Sequence, residues 1–399
     1  MQLFAFLLLF VMMNIFEEAN DVLDKFISNH LGSYHQLRNY DYGIKNRTNV
    51  SQISKYTSHR ILYEYDIVEK LKGFDKKKKY TDEIIWRIYW KGYLENYKSI
   101  WFEYINFKGS STISNLISLA MDGRTGIDCF DTWVEELRET NYLHNHSRMW
   151  FASIWIFTLG LPWQLGARFF MRHLIDGDAS SNTLSWRWVA GMHTNKKPYL
   201  ASKKNIDKFT INRFRNTQIS ISSEYNIIKN NQHQSNKIPI QKDFPKSKIL
   251  IMFDNDMNII NRSRLFNSYS KVYILINGVI NNGFKLSEKV SQFKQGITEK
   301  INKLIPNSEV LKSTDIGILL IDHGSVDIIY PGVGHNLDLI NKYANQKQIN
   351  LNFIYREEDL FYWNYANSGY YKFKNSFYSL NTNIKSIDTT IQSNHNHSK

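Results

Sequence analysis

The chain has 399 residues, of which 42% are hydrophobic and 15% aromatic, enough for two domains of ordinary size. A formal net charge of +13 favours polyanionic partners without locating a binding face. The single cysteine, Cys129, excludes an intrachain disulfide and fits a reducing compartment.

In chain order, residues 1–16 are nearly all apolar. They lack a basic leading stretch and a small-residue cleavage site, and they fall short of a membrane span. They are read as an apolar leader: an irregular lead-in, the first turns of a buried helix, or a targeting or membrane-contact segment. The expected location is otherwise cytoplasmic. Helical spacing of apolar residues then predicts helices over 17–26, 80–97, 131–140, 148–159 and 164–174, with short turns between and no long period-two run. Residues 17–204 are expected to be almost entirely α. Composition turns Asn-, Gln-, Lys- and Ser-rich over 205–247, which reads as a linker. Short apolar runs at 248–253, 272–276, 316–321 and 351–355, separated in part by helical stretches at 288–304 and 334–345, predict a small α/β domain over 248–385 with a mainly parallel sheet. Residues 386–399 lack periodicity and are expected to be disordered.

Several segments carry chemistry. Val50 to Ser54 is a tight polar stretch that suits either a pyrophosphate cradle or an N-cap and turn. Asp176 and Asp178 flank Gly177, with Arg148 upstream; from the residues alone they read equally as helix caps and a surface base. Trp86 on an amphipathic helix is either a core aromatic or a stacking platform. Taken in order, Tyr34 to Arg38, Ser51 to Ser54, Glu83 to Arg87, Gly123 to Gly126, Asp131, Tyr142 to Met149, Leu174 to Asp178, Asn182, Trp186, Trp188 and Tyr199 make a collinear block. That block closely resembles the signature of the DNA photolyase/cryptochrome family and covers about half the chain.

The resemblance implies a mainly α fold: an all-helical photolyase-type FAD-binding domain followed by a smaller α/β domain. It implies FAD as a non-covalent cofactor and no metal. Tyr34, Ser51, Gln52, Ile53 and Ser54 would hold the phosphates and ribityl chain. Arg87, Arg148, Asp176 and Asp178 would surround the flavin, Arg148 paired with Asp176 and Asp178 accepting from the ring edge, with Asn182 facing N5. Glu83, Trp86, Asn145, Met149 and Trp188 match the cavity that receives a flipped pyrimidine dimer, in the pattern of cyclobutane-dimer photolyases; Glu83 and Asn145 would also touch the cofactor. Trp186 and Trp163 match the first two members of an electron-transfer chain. The third tryptophan, expected near Ser110, is missing: no Trp lies between Trp101 and Trp133, and Tyr104 is the plausible substitute.

The sequence also departs from the family. The helical segment comes before the α/β one, which implies either a permuted order or an unrelated second domain. The Lys248 to Asp256 segment resembles the opening of an antenna domain and, more weakly, a phosphotransferase motif. The glycine loop from Pro331 to His335 is weak grounds for a nucleotide site. The expected function is light-driven repair of cyclobutane pyrimidine dimers in damaged DNA, a lyase reaction. The alternatives are a cryptochrome-like blue-light photoreceptor or a redox flavoprotein without repair activity. The sequence leaves the antenna chromophore unidentified.

Overall fold

The computed structural model describes residues 14–109, 114–193, 197–215, 217–219, 233–239, 245–280, 284–349 and 351–380. Most of the apolar leader, Ser110 and the expected tail at 386–399 lie outside these residues. The helical half comprises α1 (Ile15–Leu37), α2 (Glu64–Leu71), α3 (Lys78–Asn96), α4 (Lys98–Ile105), α5 (Ser114–Asp122), α6 (Asp128–Thr140), α7 (Asn145–Ser153), α8 (Trp163–His173), α9 (Ala179–Val189) and α10 (Lys203–Phe209).

Local chemistry explains the boundaries. Helix α1 starts in a reciprocal cap: the Asn14 side chain accepts from the Glu17 amide, and the Glu17 carboxylate accepts from the Asn14 amide. Its buried Ala19, Leu23, Phe26, Ile27, Leu31 and Tyr34 form one face, so it runs well beyond the expected 17–26. The helix expected over 148–159 is α-helical only through Ser153; Ile154–Thr158 continues as a single π turn. Helix α10 lies across the expected start of the linker, and residues 233–239 run along α3, where the Asn236 amide donates to the Asn96 carbonyl at 2.6 Å.

The second half contains β1 (Ile249–Phe253), β2 (Lys271–Ile276), α11 (Glu288–Asn302), β3 (Ser308–Lys312), α12 (Ile316–His323), β4 (Val326–Ile329), α13 (His335–Lys347), β5 (Leu351–Ile354), α14 (Glu357–Trp363) and α15 (370–380). The five strands form one parallel sheet in the order β3-β2-β1-β4-β5. A small antiparallel hairpin joins Val279–Ile280 to Phe284–Lys285. This bears out the mainly α fold with a smaller, parallel α/β part. One strand is corrected: the apolar run 316–321 is helix α12. A run of six apolar residues satisfies either a buried strand or a short helix, and the sheet positions go to Ser308–Lys312 and Val326–Ile329, which the sequence reading missed.

One face of the sheet packs under α12 and α13 through Ile251, Phe253, Leu319, Leu320, Ile328 and Ile340. The opposite face, with Leu250, Met252, Val272 and Ile274, shares a continuous core with α11 and the helical half. Gly92 in the middle of α3 permits this closeness. A Cβ there would lie 2.7 Å from Ala366 Cβ and 2.8 Å from the Trp363 ring, so the usual helix cost of glycine is accepted where two backbones meet.

Candidate functional site

Helix α3 presents Glu83, Trp86, Arg87 and Lys91 in successive turns, and α9 approaches with the turn that precedes it. Asp178 caps α9: its Oδ1 accepts from the Ser181 amide and the Ser180 hydroxyl, both at 2.8 Å. Its Oδ2 meets Arg87 at 2.7 Å. Burial raises the Asp178 pKa, but Arg87 and Lys91 more than compensate and hold it at about 2. Asp178 is therefore a helix cap, as one reading of the sequence had it, and an ion-pair partner as well.

Two residues earlier, Asp176 pairs with Arg148 at 2.8 Å, as the resemblance implied. Arg148 also donates from Nε to the Leu143 carbonyl at 2.9 Å and lies 5.1 Å over the Tyr142 ring. Burial works against its charge and Asp176 outweighs that, so its pKa is raised. The second carboxylate oxygen of Asp176 is buried with no hydrogen-bond partner among the described residues, as is the Thr183 hydroxyl. An unsatisfied buried acceptor costs about 1–3 kcal/mol, so this carboxylate is built to meet a donor. Asn182 is buried and its amide donates to the Ala167 carbonyl at 2.8 Å.

The remaining expected residues are distributed as follows. Tyr34 is buried against Phe26 and Tyr80. Ser51 and Ser54 are half-buried, Gln52 is exposed with positive φ, and Ile53 is buried. Glu83 is ion-paired to Arg38; burial raises its pKa, with Arg38 opposing. Trp86 is stacked by Tyr370 of α15 at 3.5 Å and 7° between planes. Tyr370 in turn donates to the Asp82 carbonyl, and Lys374 and Tyr378 hold the Asp82 carboxylate. Asn145 is exposed, Met149 half-buried, and Trp188 half-buried against Tyr199 at 5.7 Å. Trp186 is buried, and Gly166 makes room for it: a Cβ there would come within 2.3 Å of the indole. Trp163 is buried and stacked on Tyr104 at 5.5 Å.

Sequence reasoning missed a buried cluster that ties the halves together. Glu64 takes Arg87 at 3.2 Å and Lys91 at 2.7 Å. Arg60 bridges to Asp256 at 3.0 Å and Asp359 at 2.7 Å, and Arg356 donates from Nε to Asp256 at 2.8 Å. The i,i+4 spacings of Arg60 with Glu64 and of Arg87 with Lys91 were the available signal. The ends of β1 and β4, where the strand order reverses, face this cluster across a cleft of ≈ 50 Å³ lined by Asn255, Asp256, Pro331 and Gly332 together with Lys91 and Asp178.

The donor set fits a flavin dinucleotide: a buried carboxylate oxygen awaiting a donor, an arginine pair beside it, and hydroxyl-bearing turns at Ser51 to Ser54. No helix among the described residues is long and apolar enough to cross a membrane. Residues 80–246 match the FAD binding domain of DNA photolyase. A deoxyribodipyrimidine photo-lyase of Neurospora crassa is 29% identical over 46% of this chain and 31% of its own length. That of Buchnera aphidicola is 28% identical over 54% of this chain and 49% of its own. The chain thus spans between about a third and a half of these two relatives. Among solved structures, a class III photolyase from Agrobacterium tumefaciens aligns with TM-score 0.41 and 23% identity over 49% of this chain and 44% of its own. A Synechocystis cryptochrome aligns with TM-score 0.44 and 22% identity over 49% and 43%. FAD is the cofactor of the matched domain, and over residues 80–246 this chain is similar to the FAD binding domain of DNA photolyase.

Proposed function

We propose that the chain splits cyclobutane pyrimidine dimers in DNA under light. The observation that carries this reading is accessibility. Glu83, Trp86, Asn145, Met149 and Trp188 are all exposed or half-buried, although the helices that bear them are otherwise largely buried. Positions left accessible in this way stay reachable by an extruded base. FAD, when bound, supplies the electron that opens the dimer.

The protein's own residues would do the rest. Arg148, Asp176 and Asp178 hold the flavin edge, with the free Asp176 oxygen accepting its N–H; Asn182 stands toward N5; Tyr34 and Ser51 to Ser54 take the phosphate end. Glu83, its pKa raised by burial, is suited to hydrogen-bond a base carbonyl or imide, and Trp86 and Trp188 offer apolar faces for stacking. Basic side chains would supply general, salt-dependent affinity.

The test is an assay of photoreduced protein on a single-stranded thymine-dimer oligonucleotide, alongside Glu83→Gln. Light-dependent loss of the dimer, reduced about tenfold by the substitution, is expected. FAD-loaded, reduced protein that leaves the dimer intact would refute the reading. A second reading, a light sensor, is favoured by one contact: Tyr370 covers a face of Trp86, so α15 occupies one side of the stacking surface. Repair by a Tyr370→Ala variant alone, with none by the parent chain, would support it.

A further inference from the structure

The electron path expected from the sequence lacks its third tryptophan beyond Trp163 and offers only Tyr104 as a substitute, with no exit after it. The structure supplies a continuation. Trp163 is stacked on Tyr104 with ring centroids 5.5 Å apart and planes at 18°, and Tyr104 touches Trp101 at 5.3 Å. The Trp101 indole N–H donates to Asp338 Oδ2 at 2.8 Å, across the junction between the halves. Tunnelling rates fall exponentially with the gap between rings, so three rings in contact form a conducting line.

We infer that Trp163, Tyr104 and Trp101 relay an oxidising equivalent out of the helical core, and that Asp338 of the α/β half receives the proton released at its end. The inference rests on the reading above, in which a light-excited flavin is the one-electron oxidant of the interior. At each hop one electron moves inward and the hole moves outward.

The fixed charges give the line a direction. The Arg187 guanidinium lies 5.8 Å over the Trp163 ring and that of Arg168 lies 6.0 Å over Tyr104, so a positive hole is repelled at both. At Trp101 the nearest charge is a carboxylate, which attracts it. His335, edge-on to Trp101 at 4.8 Å, is kept neutral by burial and by Lys294 and Arg168, and adds no opposing charge.

Proton chemistry points the same way. The Trp163 indole N–H and the Tyr104 hydroxyl are buried without hydrogen-bond partners among the described residues. Among the described residues neither has an acceptor for its proton, so Tyr104 acts as a bridge. Trp101 has such an acceptor: its N–H bond breaks, the proton passes to Asp338 Oδ2, and a neutral indolyl radical remains. Asp338 is half-buried and can pass the proton to solvent. A thiol reductant then returns one electron, and the proton is recovered from water.

Transient absorption on the full flavin-loaded chain tests this. The wild type is expected to show a long-lived neutral tryptophan radical. Trp101→Phe is expected to shorten its lifetime about tenfold with flavin content unchanged. Asp338→Asn, which keeps the side chain's size and an acceptor oxygen, is expected to leave the initial radical cation and suppress its conversion to the neutral form. Tyr104→Phe is expected to preserve the relay, and Tyr104→Leu to slow it. An unchanged radical lifetime in Trp101→Phe, with Trp186→Phe abolishing the signal, would overturn the relay while leaving the flavin reading intact. No light-dependent radical in any variant would bring down the flavin reading instead. In that event, oxidation of the flavin-free chain by azide radicals still decides the relay: a tryptophan radical altered by Asp338→Asn supports it, and one indifferent to both substitutions overturns it.

Discussion

Two buried ionic sites lie close together on the helical half and are built on different principles. The Arg148–Asp176 pair belongs to that half alone and leaves one carboxylate oxygen unused. The cluster of Arg60, Glu64, Arg87, Lys91, Asp178, Asp256, Arg356 and Asp359 joins both halves and sets four cations against four carboxylates. A balanced cluster holds the halves in register. The smaller pair leaves a carboxylate oxygen open to a ligand. Buried charge by itself therefore does not mark a cofactor site.

The comparison breaks if the two sites respond alike to substitution. The largest effect is expected for Asp256→Asn, which removes the carboxylate that Arg356 meets and one of those that Arg60 meets. Loss of one side of a buried pair costs about 3–5 kcal/mol, read as a lower urea midpoint with flavin binding lost only as the protein unfolds. Next is Gly92→Ala, which drives a methyl into Ala366 and Trp363; overpacking of about 1–3 kcal/mol is expected from the same measurement. Asp176→Asn should do the reverse of Asp256→Asn: a stability change of about 1 kcal/mol in the flavin-free chain, but a fall of about tenfold in flavin retention by absorbance after gel filtration. Equal effects of Asp176→Asn and Asp256→Asn on both readouts would erase the distinction.

Acid separates the contributions more gently. Buried His59 and His193 have pKa values lowered to about 4, in each case chiefly by burial. Their unfolded values lie near 6.5, so the unfolded chain binds protons first and stability falls as pH drops from about 6.5 toward 4. Glu64 and Asp178 are held at about 2 despite burial, by Lys91, Arg60 and Arg87 for the first and by Arg87 and Lys91 for the second. Their contribution is complete above about 4 and is lost as pH falls through about 2. Urea midpoints across pH should show both limbs. His59→Asn is expected to flatten the upper limb only.

Legibility followed the range of the interactions. The pairing of Arg148 with Asp176 could be read because both sit in a short collinear pattern, and it is present as the resemblance implied. Partners distant in the chain could not be read. Nothing in the residues around Trp86 announces Tyr370, and nothing near Arg60 announces Asp359. The helix at 316–323 was misread because six apolar residues carry no decisive period, while Ser308–Lys312 escaped notice because its polar, half-exposed strand lies at the sheet edge. Trp101 bounded the stretch searched for a missing tryptophan, and its contact with Tyr104 emerged only from the packing of α4.

The shared core also constrains how the protein is made. Synthesis delivers the helical half first, yet α3 is covered by Trp363, Ala366 and Tyr370, and the sheet's Leu250 and Met252 pack into the same core. Until those residues leave the ribosome, Gly92 and Trp86 lack the rings that cover them, and Arg60 lacks Asp256 and Asp359. The nascent chain therefore carries a sticky, positively charged face through much of translation, the kind of surface that holding chaperones engage. Coding order, rather than the finished architecture, makes the segment from β1 to α15 the step that closes this shared core.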